Sequence, residues 1–311
     1  MSRPLILTAN YAAGALELPV PFLRSLRSTG CTAEVVLIAN HGSAEDQKCL
    51  ADLMPGARIW VPIPKQRYRV LRRLANTFPF VARAVARRLR VAWRRSPERR
   101  LAIEHRAAYL LNITCSRYFL ARQFLHPVAD RYSHVLLADS RDVVFQRDPF
   151  AGLPAGLTTG LESVLMKDQP ANAEWLRHLY GDEPGFPMES LMNQKVICSG
   201  VTLGDTAAVA AYLEKVCAEF MEKLPCMIHE PYLDQGVHNA LLRTAKIPKA
   251  HLVENGEPWI ATVGTSDLGE FAQVDGELLS AGGEPVRIVH QYDRHPDFAI
   301  KLLAPFSGTK A

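Results

Sequence analysis

Val135-Leu136-Leu137-Ala138-Asp139-Ser140-Arg141-Asp142 is a short apolar run that ends abruptly in two acids. A continuous apolar run of this length is typical of a strand buried on both faces of a sheet. Asp139 and Asp142 follow it, and two carboxylates confined together cannot both stay ionised without a counter-charge. Mg²⁺ or Mn²⁺ would supply that charge, and both ions also bind phosphate oxygens. Arg141 offers the alternative of a simple turn closed by an Asp–Arg pair.

Strands and helices are predicted to alternate upstream of this stretch. Residues 4–9, 33–39 and 58–62 are short apolar runs, and residues 16–28 have helical spacing. This alternation predicts an α/β fold with a mainly parallel central sheet flanked by helices. Ligands of such sheets bind beyond the carboxyl ends of the strands. The residues expected near a ligand are therefore Thr8, Ala9, Asn10 and Asn40.

The length and composition of the chain are those of an ordinary globular protein. Its 311 residues, 48% of them hydrophobic, suit one large α/β domain or two tightly joined halves. We expect a single domain over 1–311, with a nucleotide-binding half (1–130) and a metal and acceptor half (131–311). A formal charge of +4 is too mild to imply a nucleic-acid partner.

Cysteine usage and hydropathy bear on the compartment. The six cysteines include no CxxC pair, which argues against a zinc ribbon or a thioredoxin-type site and fits a reducing compartment. The apolar run at the N-terminus is too short for a signal-peptide core, and no run of about 18 apolar residues follows. We therefore expect a cytoplasmic protein.

A very basic helical insertion is predicted at residues 65–106, which contain one lysine and thirteen arginines. Pro79 is expected to divide it into two helices. The apolar face is predicted to carry Val81, Val85, Leu89 and Trp93, and the opposite face Arg83, Arg87, Arg90 and Arg94. The arginines of segment 67–100 form either a solvated face or a peripheral contact with anionic lipid on the inner face of a membrane. An anionic acceptor is a further possible partner of this segment.

The acidic strand end and its exit resemble a known family. Asp139-Ser140-Arg141-Asp142-Val143-Val144-Phe145-Gln146-Arg147-Asp148-Pro149-Phe150 resembles the metal-binding strand of nucleotide-sugar glycosyltransferases with the GT-A fold, nearest to glycosyltransferase family 8-like enzymes. The acids are spaced DxxD here, whereas the family has DxD. The resemblance implies that the last acid, Asp142, ligates the metal. Asp139 is expected to bind the metal directly or through water, or to contact the ribose of the nucleotide.

Two later segments resemble the same family. Cys198-Ser199-Gly200 is similar to its "NSG" segment, with Cys198 in place of asparagine, which implies that Ser199 and Gly200 bind the donor sugar. Glycine permits close backbone approach to a ligand, and the alternative is an ordinary turn. Residues 232–239 resemble the "DQ…N" segment, which implies that Asp234 and Gln235 face the reacting carbon of the sugar. The alternative for Asp234 is the N-cap of a helix that runs to Leu242.

A late histidine completes the resemblance. In this family a C-terminal histidine commonly joins the metal site, and neutral imidazole is a good third ligand beside two carboxylates. His290 ends an apolar strand and is the expected ligand; His295 is the alternate ligand or a phosphate contact. Without the resemblance, a histidine after a strand is more often structural.

The resemblance implies a metal-dependent transferase. A sugar would move from a nucleoside-diphosphate sugar to a glycan or lipid-linked acceptor, with Mn²⁺ or Mg²⁺ stabilising the departing diphosphate. Thr8 and Asn10 would contact the nucleoside. Arg117 would hold the donor, unless it is a helix-surface arginine. Retention is expected if Asp234 and Gln235 support the sugar, and inversion if Asp234 acts as a base.

Two rival functions fit parts of the pattern. A haloacid-dehalogenase-like phosphotransferase also places an acid at a strand end, but it needs a DxD motif and a downstream lysine with an acidic pair. A non-catalytic glycan- or membrane-binding protein could keep a glycosyltransferase-like fold, although intact Asp142 and His290 argue against lost catalysis.

Overall fold

The first sixty residues alternate between strands and helices, as the apolar runs predict. The computed structural model describes residues 2–11, 16–228, 230, 232–247 and 250–306, without the side chains of Lys65, Tyr68 and Arg72. The first elements are β1 (Arg3–Asn10), α1 (Val20–Ser28), β2 (Glu34–Ala39), α2 (Ala44–Leu53) and β3 (Arg58–Trp60). A helical region follows, with α3 (Lys65–Thr77), α4 (Pro79–Arg95), α5 (Arg100–Ala108) and α6 (Ile113–Leu125).

The remaining elements mix longer strands with helices. They are β4 (Tyr132–Ala138), β5 (Val143–Phe145), β6 (Leu157–Leu165), α7 (Pro170–Tyr180), α8 (Met188–Met192), β7 (Lys195–Asp205), α9 (Thr206–Met227), α10 (Leu233–Arg243), β8 (Ala250–Val253), β9 (Ile260–Thr262), β10 (Gln273–Val274), β11 (Glu277–Leu278), β12 (Ile288–His290) and α11 (Pro296–Leu303).

The central sheet has seven strands in the order β3-β2-β1-β4-β7-β6-β8. All neighbouring strands pair in parallel except β7, which is antiparallel to both β4 and β6. The α/β prediction with a mainly parallel sheet flanked by helices is therefore confirmed. Successive side chains of a strand point to opposite faces. Accordingly, Leu5 and Leu7 of β1 belong to the core cluster that includes α6 and α9, whereas Ile6 belongs to the cluster that includes α1.

The acidic stretch lies where the chain passes from one sheet to another. β4 ends at Ala138, and the apolar run that follows Asp142 is strand β5 of a separate three-stranded sheet, in the order β5-β12-β9. β12 pairs antiparallel with β5 and parallel with β9. The two sheets therefore meet at the turn that carries Asp139 and Asp142.

The arginine-rich region is helical, and Pro79 begins α4, as predicted, but the region contains a third helix, α5, where two were expected. The predicted apolar face of α4 is only partly right: Leu89 and Trp93 pack against the core, but Val81 and Val85 are exposed. Ala82, Ala86 and Trp93 are its buried side chains, while Val81 is 46% exposed. A four-residue step advances about 40° around a helix, so a series of three such steps turns by about 120° and leaves the face on which it began.

The predicted arginine face is only partly solvated. On α4, Arg90 Nη1 donates to the Glu222 carbonyl oxygen of α9 at 3.1 Å, and Arg94 forms an ion pair with the Glu222 carboxylate. Within the described residues, no helix combines the length and the apolar composition that a bilayer span requires.

Candidate functional site

A cleft with a volume of ≈ 720 Å³ lies beyond the carboxyl ends of β1 and β4. Parallel strands direct their carboxyl ends to one edge of a sheet, which is where α/β proteins bind ligands. The predicted site residues that line it are Ala9, Asn10, Arg117, Asp139, Asp142, Ser199, Gly200, Asp234, Gln235 and His290. The structure thus brings most of the predicted residues into one cavity.

Asp139, Asp142 and His290 form a group that could hold a metal ion. One ligand atom from each lies within 4.8 Å of the others. His290 Nε2 is 4.0 Å from Asp139 Oδ2 and 3.7 Å from Asp142 Oδ1. His290 is buried, and both acids are partly open to the cleft. The group therefore presents two carboxylates and one imidazole toward a space that a substrate can reach.

Strand register brings these three residues together. β5 begins directly after Asp142, and its first residue, Val143, pairs with His290 of β12. The Gln291 amide donates to the Asp142 carbonyl oxygen at 2.8 Å, which extends this ladder into the acidic turn. His290 is consequently held beside Asp142 by backbone hydrogen bonds that do not depend on a metal.

Gly200 provides the space in which the group assembles. The Asp139 amide donates to the Gly200 carbonyl oxygen at 2.8 Å, so β7 lies directly against the acidic turn. A Cβ atom at position 200 would lie 2.5 Å from His290 Nε2 and 2.9 Å from Asp139 Oδ2. Both distances are too short for real side chains, so only glycine allows the histidine and the carboxylate to converge here.

The imidazole of His290 is suited to ligate a cation. Burial lowers the pKa of His290, although Asp142 opposes this shift, so the ring is neutral near pH 7. His290 Nδ1 lies 3.5 Å from Cys198 Sγ. An N–H at Nδ1 would leave the Nε2 lone pair directed at the acids, as metal-bound histidines require. Neutral imidazole with two carboxylates is a donor set that fits a divalent cation.

Arg117 links the acidic turn to α10. Its guanidinium forms an ion pair with Asp139, and Nη2 lies 3.1 Å from Asp234 Oδ2 and 3.3 Å from the Ser199 carbonyl oxygen. Arg117 therefore lies inside the cleft and not on an outer helix surface. The alternative of an Asp–Arg turn within the motif is also wrong, because Arg141 is 88% exposed and faces Asp293.

Asp234 is not the N-cap of α10, because the helix begins at Leu233 and Tyr232 occupies the capping position. Asp234 Oδ2 accepts hydrogen bonds from Arg117 and, at 3.2 Å, from Ser199 Oγ. Burial raises the pKa of Asp234, and the neighbouring Arg117 opposes that shift. Asp234 is thus a buried carboxylate whose charge is balanced and whose position is fixed.

Gln235 is held by hydrogen bonds on both sides of its amide. Its Nε2 donates to Glu162 Oε1 at 3.0 Å and to Asn172 Oδ1 at 2.8 Å, and its Oε1 accepts from the Ser199 backbone N–H at 3.4 Å. Asn239, one turn later, bonds both backbone groups of Ile197 at 2.8 Å. These contacts fasten the first turns of α10 to β7.

The Cys198-Ser199-Gly200 segment lies in an irregular part of β7 and not in an ordinary turn. Thr159 of β6 pairs with Thr202, but Leu161 pairs with Ile197, so β7 has the extra residues across this step. Thr159 Oγ1 lies 3.1 Å from the Cys198 carbonyl oxygen and 3.0 Å from that of Val201. Such bulges locally release a strand from its ladder and are frequent beside active sites.

Three residues expected near the ligand do not line the cleft. Thr8 is buried below it, beside a separate cavity of ≈ 20 Å³ that Arg117 also borders. Asn40 is buried, with its Oδ1 2.8 Å from His41 Nδ1. His295 Nε2 lies 2.7 Å from the Val263 carbonyl oxygen, and His295 is absent from the metal-ligand group.

The cleft also contains residues that the sequence did not single out. Glu162 is buried, and burial raises the pKa of its carboxyl. Trp175 and Tyr232 form an aromatic pair with ring centroids 6.0 Å apart and planes inclined by 35°. A single charged residue in an otherwise uncharged strand was a signal for Glu162, whereas nothing in the sequence pattern marks the aromatic pair.

No protein-family model matches this chain, and no curated protein matches it in sequence. The functional conclusion therefore rests on the residues of the cleft and on their geometry.

Proposed function

We propose that this protein is a metal-dependent glycosyltransferase that moves a sugar from a nucleoside-diphosphate sugar to a hydroxyl of a glycan or lipid-linked acceptor. The observation that supports this most is the Asp139, Asp142 and His290 group, located at the carboxyl end of β4 in a cleft large enough for a nucleotide. On this proposal, residues 1–311 form one GT-A-like domain. Its nucleotide half (1–130) and its metal and acceptor half (131–311) share the central sheet.

Mn²⁺ or Mg²⁺ held by Asp139, Asp142 and His290 would offset the negative charge that develops on a departing diphosphate. We propose that the end of β1, with Ala9 and Asn10, contacts the nucleoside, since it forms the adjacent wall of the cleft. Thr8 lies beneath this wall and would act through its backbone position.

Arg117 and the start of α10 would orient the donor sugar. Arg117 bridges Asp139 and Asp234, so it connects the metal-ligand group to the proposed sugar side of the cleft. The Ser199 hydroxyl donates to the Asp234 carboxylate, and the Gln235 side-chain oxygen lies 3.3 Å from the same hydroxyl. A rigid, charge-balanced Asp234 favours support of the reacting face of the sugar over proton abstraction, and we therefore propose retention.

The acceptor side of the cleft would be formed by the aromatic pair. Tyr232 is 54% exposed, with Trp175 behind it, and both line the cavity near Asp234. An exposed aromatic ring offers an apolar face on which a sugar ring can stack.

The phosphotransferase alternative is weaker. It requires a lysine beside the acid, and no lysine lines the cleft among the described residues.

The test is thermal unfolding with UDP, GDP and UDP-sugars, each with and without Mn²⁺. A ligand that binds only the folded state stabilises it, by about 2.7 kcal/mol at a concentration of 100 times its Kd. We expect at least one nucleotide to raise the melting temperature only when Mn²⁺ is present. No metal-dependent shift with any of these nucleotides would overturn the proposal.

Asp142→Ala should abolish this shift without lowering the melting temperature of the ligand-free protein. The matched control is Arg141→Gln, which alters charge at the exposed neighbouring position and should preserve the shift. Mn²⁺-dependent UDP release from a UDP-sugar then separates an enzyme from a non-catalytic binding protein. Proton NMR of the product reports whether the anomeric configuration is retained.

A further inference from the structure

The α3–α4 pair exposes an unusual amount of apolar surface. Seven of the eleven large apolar side chains that are exposed in the described residues lie between positions 70 and 91. They are Val70, Leu74, Phe78, Phe80, Val81, Val85 and Val91, and Phe80 is 71% exposed. Soluble proteins rarely leave apolar side chains concentrated on one surface without a partner.

One face of α4 carries three of these seven side chains. Val81, Val85 and Val91 lie on the side away from the buried Ala82, Ala86 and Trp93. The exposed residues at the spacing of this face are Val81, Ala84, Val85, Arg88, Val91, Ala92 and Arg95. The face is therefore an apolar strip interrupted by arginines.

The charge of the surface is almost purely positive. Residues 65–106 contain only two acids, Glu98 and Glu104. Glu104 is buried, where it accepts from Trp93 Nε1 at 2.8 Å and pairs with Arg122. The exposed arginines of α3 and α4 that form no ion pair with a described acid are Arg67, Arg69, Arg73, Arg83, Arg87, Arg88 and Arg95.

We infer that the α3–α4 pair docks on an anionic lipid surface. Arginine head groups can reach lipid phosphates while their stems, together with Phe80 and the valines, enter the apolar boundary of the bilayer. A second copy of the chain fits less well, since it would oppose arginine with arginine. The phosphates of a nucleic acid would bind the arginines, but the exposed apolar side chains would remain in water.

This inference goes beyond the proposed glycosyl transfer and does not depend on it. The full chain, without nucleotide or metal, is floated with vesicles of phosphatidylcholine alone or of phosphatidylcholine mixed with phosphatidylglycerol. We expect the protein to float only with the anionic vesicles and to be released as salt is raised. Failure to float with anionic vesicles overturns the inference.

Paired variants test both components of the surface. Arg88→Gln with Arg95→Gln should weaken vesicle binding on the order of tenfold or more, and Phe80→Ser with Val81→Ser should also weaken it. The charge control is Lys48→Gln with Lys215→Gln, two exposed lysines elsewhere. The apolar control is Ile300→Ser, because Ile300 is also 71% exposed.

Three results would overturn the inference. The first is equal loss of binding in the controls. The second is binding that falls with the arginine pair but not with the Phe80 and Val81 pair, which indicates attraction of charge alone. The third is a dimer in solution that Phe80→Ser dissociates, which identifies a second copy of the chain as the occupant of this surface.

Discussion

The cleft and the α3–α4 pair both concentrate charge, but they hold it in opposite ways. In the cleft, Arg117 lies between Asp139 and Asp234, and each polar group is fixed by strands and helices from distant parts of the chain. On the α3–α4 pair, most arginines face outward and few described contacts restrain them. Tertiary register therefore determines which charges meet in the cleft, whereas local composition alone determines the charge of the helical pair.

The largest effect should come from protonation behind the cleft. His238 on α10 is buried, with Nδ1 2.6 Å from the Tyr212 hydroxyl, and burial lowers its pKa from 6.5 to about 3. The unfolded chain gains a proton as pH falls below 6.5, whereas the folded chain does not, so the folded state loses stability over this range. The loss amounts to about 4 kcal/mol by pH 3. Urea unfolding across this pH range measures it.

His238→Gln should flatten this pH profile, because glutamine does not titrate. The control is His126→Gln, an exposed histidine whose removal should leave the slope unchanged. An unchanged slope in His238→Gln would show that other groups cause the acid sensitivity. Burial of the neutral His238 ring would then not be the reason why the folded protein loses stability in acid.

Gly200→Ala should produce the next largest effect. The new Cβ atom would press on His290 and Asp139, and overpacking of this kind typically costs about 1–3 kcal/mol. We also expect Mn²⁺ affinity to fall by at least on the order of tenfold, because two of the three ligands must move apart. Titration calorimetry measures the affinity, and urea unfolding measures the stability.

Gly282→Ala is the matched control, since its nearest neighbour, Ser280 Oγ, would be 3.7 Å from the added Cβ. It should change neither the free energy of Mn²⁺ binding nor the free energy of unfolding by more than about 1 kcal/mol. If Gly200→Ala binds Mn²⁺ as tightly as the unaltered protein, the three side chains are not a metal site.

Much of the candidate site follows from the sequence because strand ends are local features. An apolar run that stops at Asp139, and another that stops at His290, each predict a polar side chain at a sheet edge. The pairing of Val143 with His290 is a property of two segments far apart in the chain. No local pattern encodes that register, so the sequence predicts the ligands but not the Gly200 contact that lets them converge.

The α3–α4 pair shows what the sequence pattern does not predict, which is the side of a helix that is buried. Helix formation and the break at Pro79 both depend on the local sequence, and both were predicted correctly. The buried face was predicted correctly at Trp93 but wrongly at Val81 and Val85. Small residues can pack more closely than large ones, and Ala82 and Ala86 contact the core instead. Two exposed valines one helical turn apart resemble part of a core stripe unless the packing partner is known.

A smaller effect tests which face of α4 is buried. Ala86→Leu should destabilise the protein by about 1–3 kcal/mol, because Ala86 is fully buried against the core. Ala84→Leu, the same substitution on the exposed side, should stay within about 0.5 kcal/mol. Urea unfolding compares the two variants. Equal stability would mean that α4 is not packed through its alanines, and the apolar strip of valines would then be the buried face.

The smallest effect is expected at the mouth of the cleft. Tyr232 has a left-handed backbone, with φ of 64°, which is costly for a bulky residue. Tyr232→Gly would relieve this strain and remove a half-exposed ring, so the free energy of unfolding should change by about 1 kcal/mol or less. Urea unfolding measures the change.

Ala245→Gly isolates the backbone contribution, because Ala245 is exposed and has φ of 55° but carries no ring. The difference between the two variants is then the contribution of the Tyr232 ring to folding, including its contact with Trp175. A ring that contributes little to stability, yet is held at the cleft in a strained conformation, is better explained by contact with a ligand. A loss above about 2 kcal/mol in Tyr232→Gly alone would instead make the ring a structural element, and the aromatic pair would no longer indicate the acceptor side.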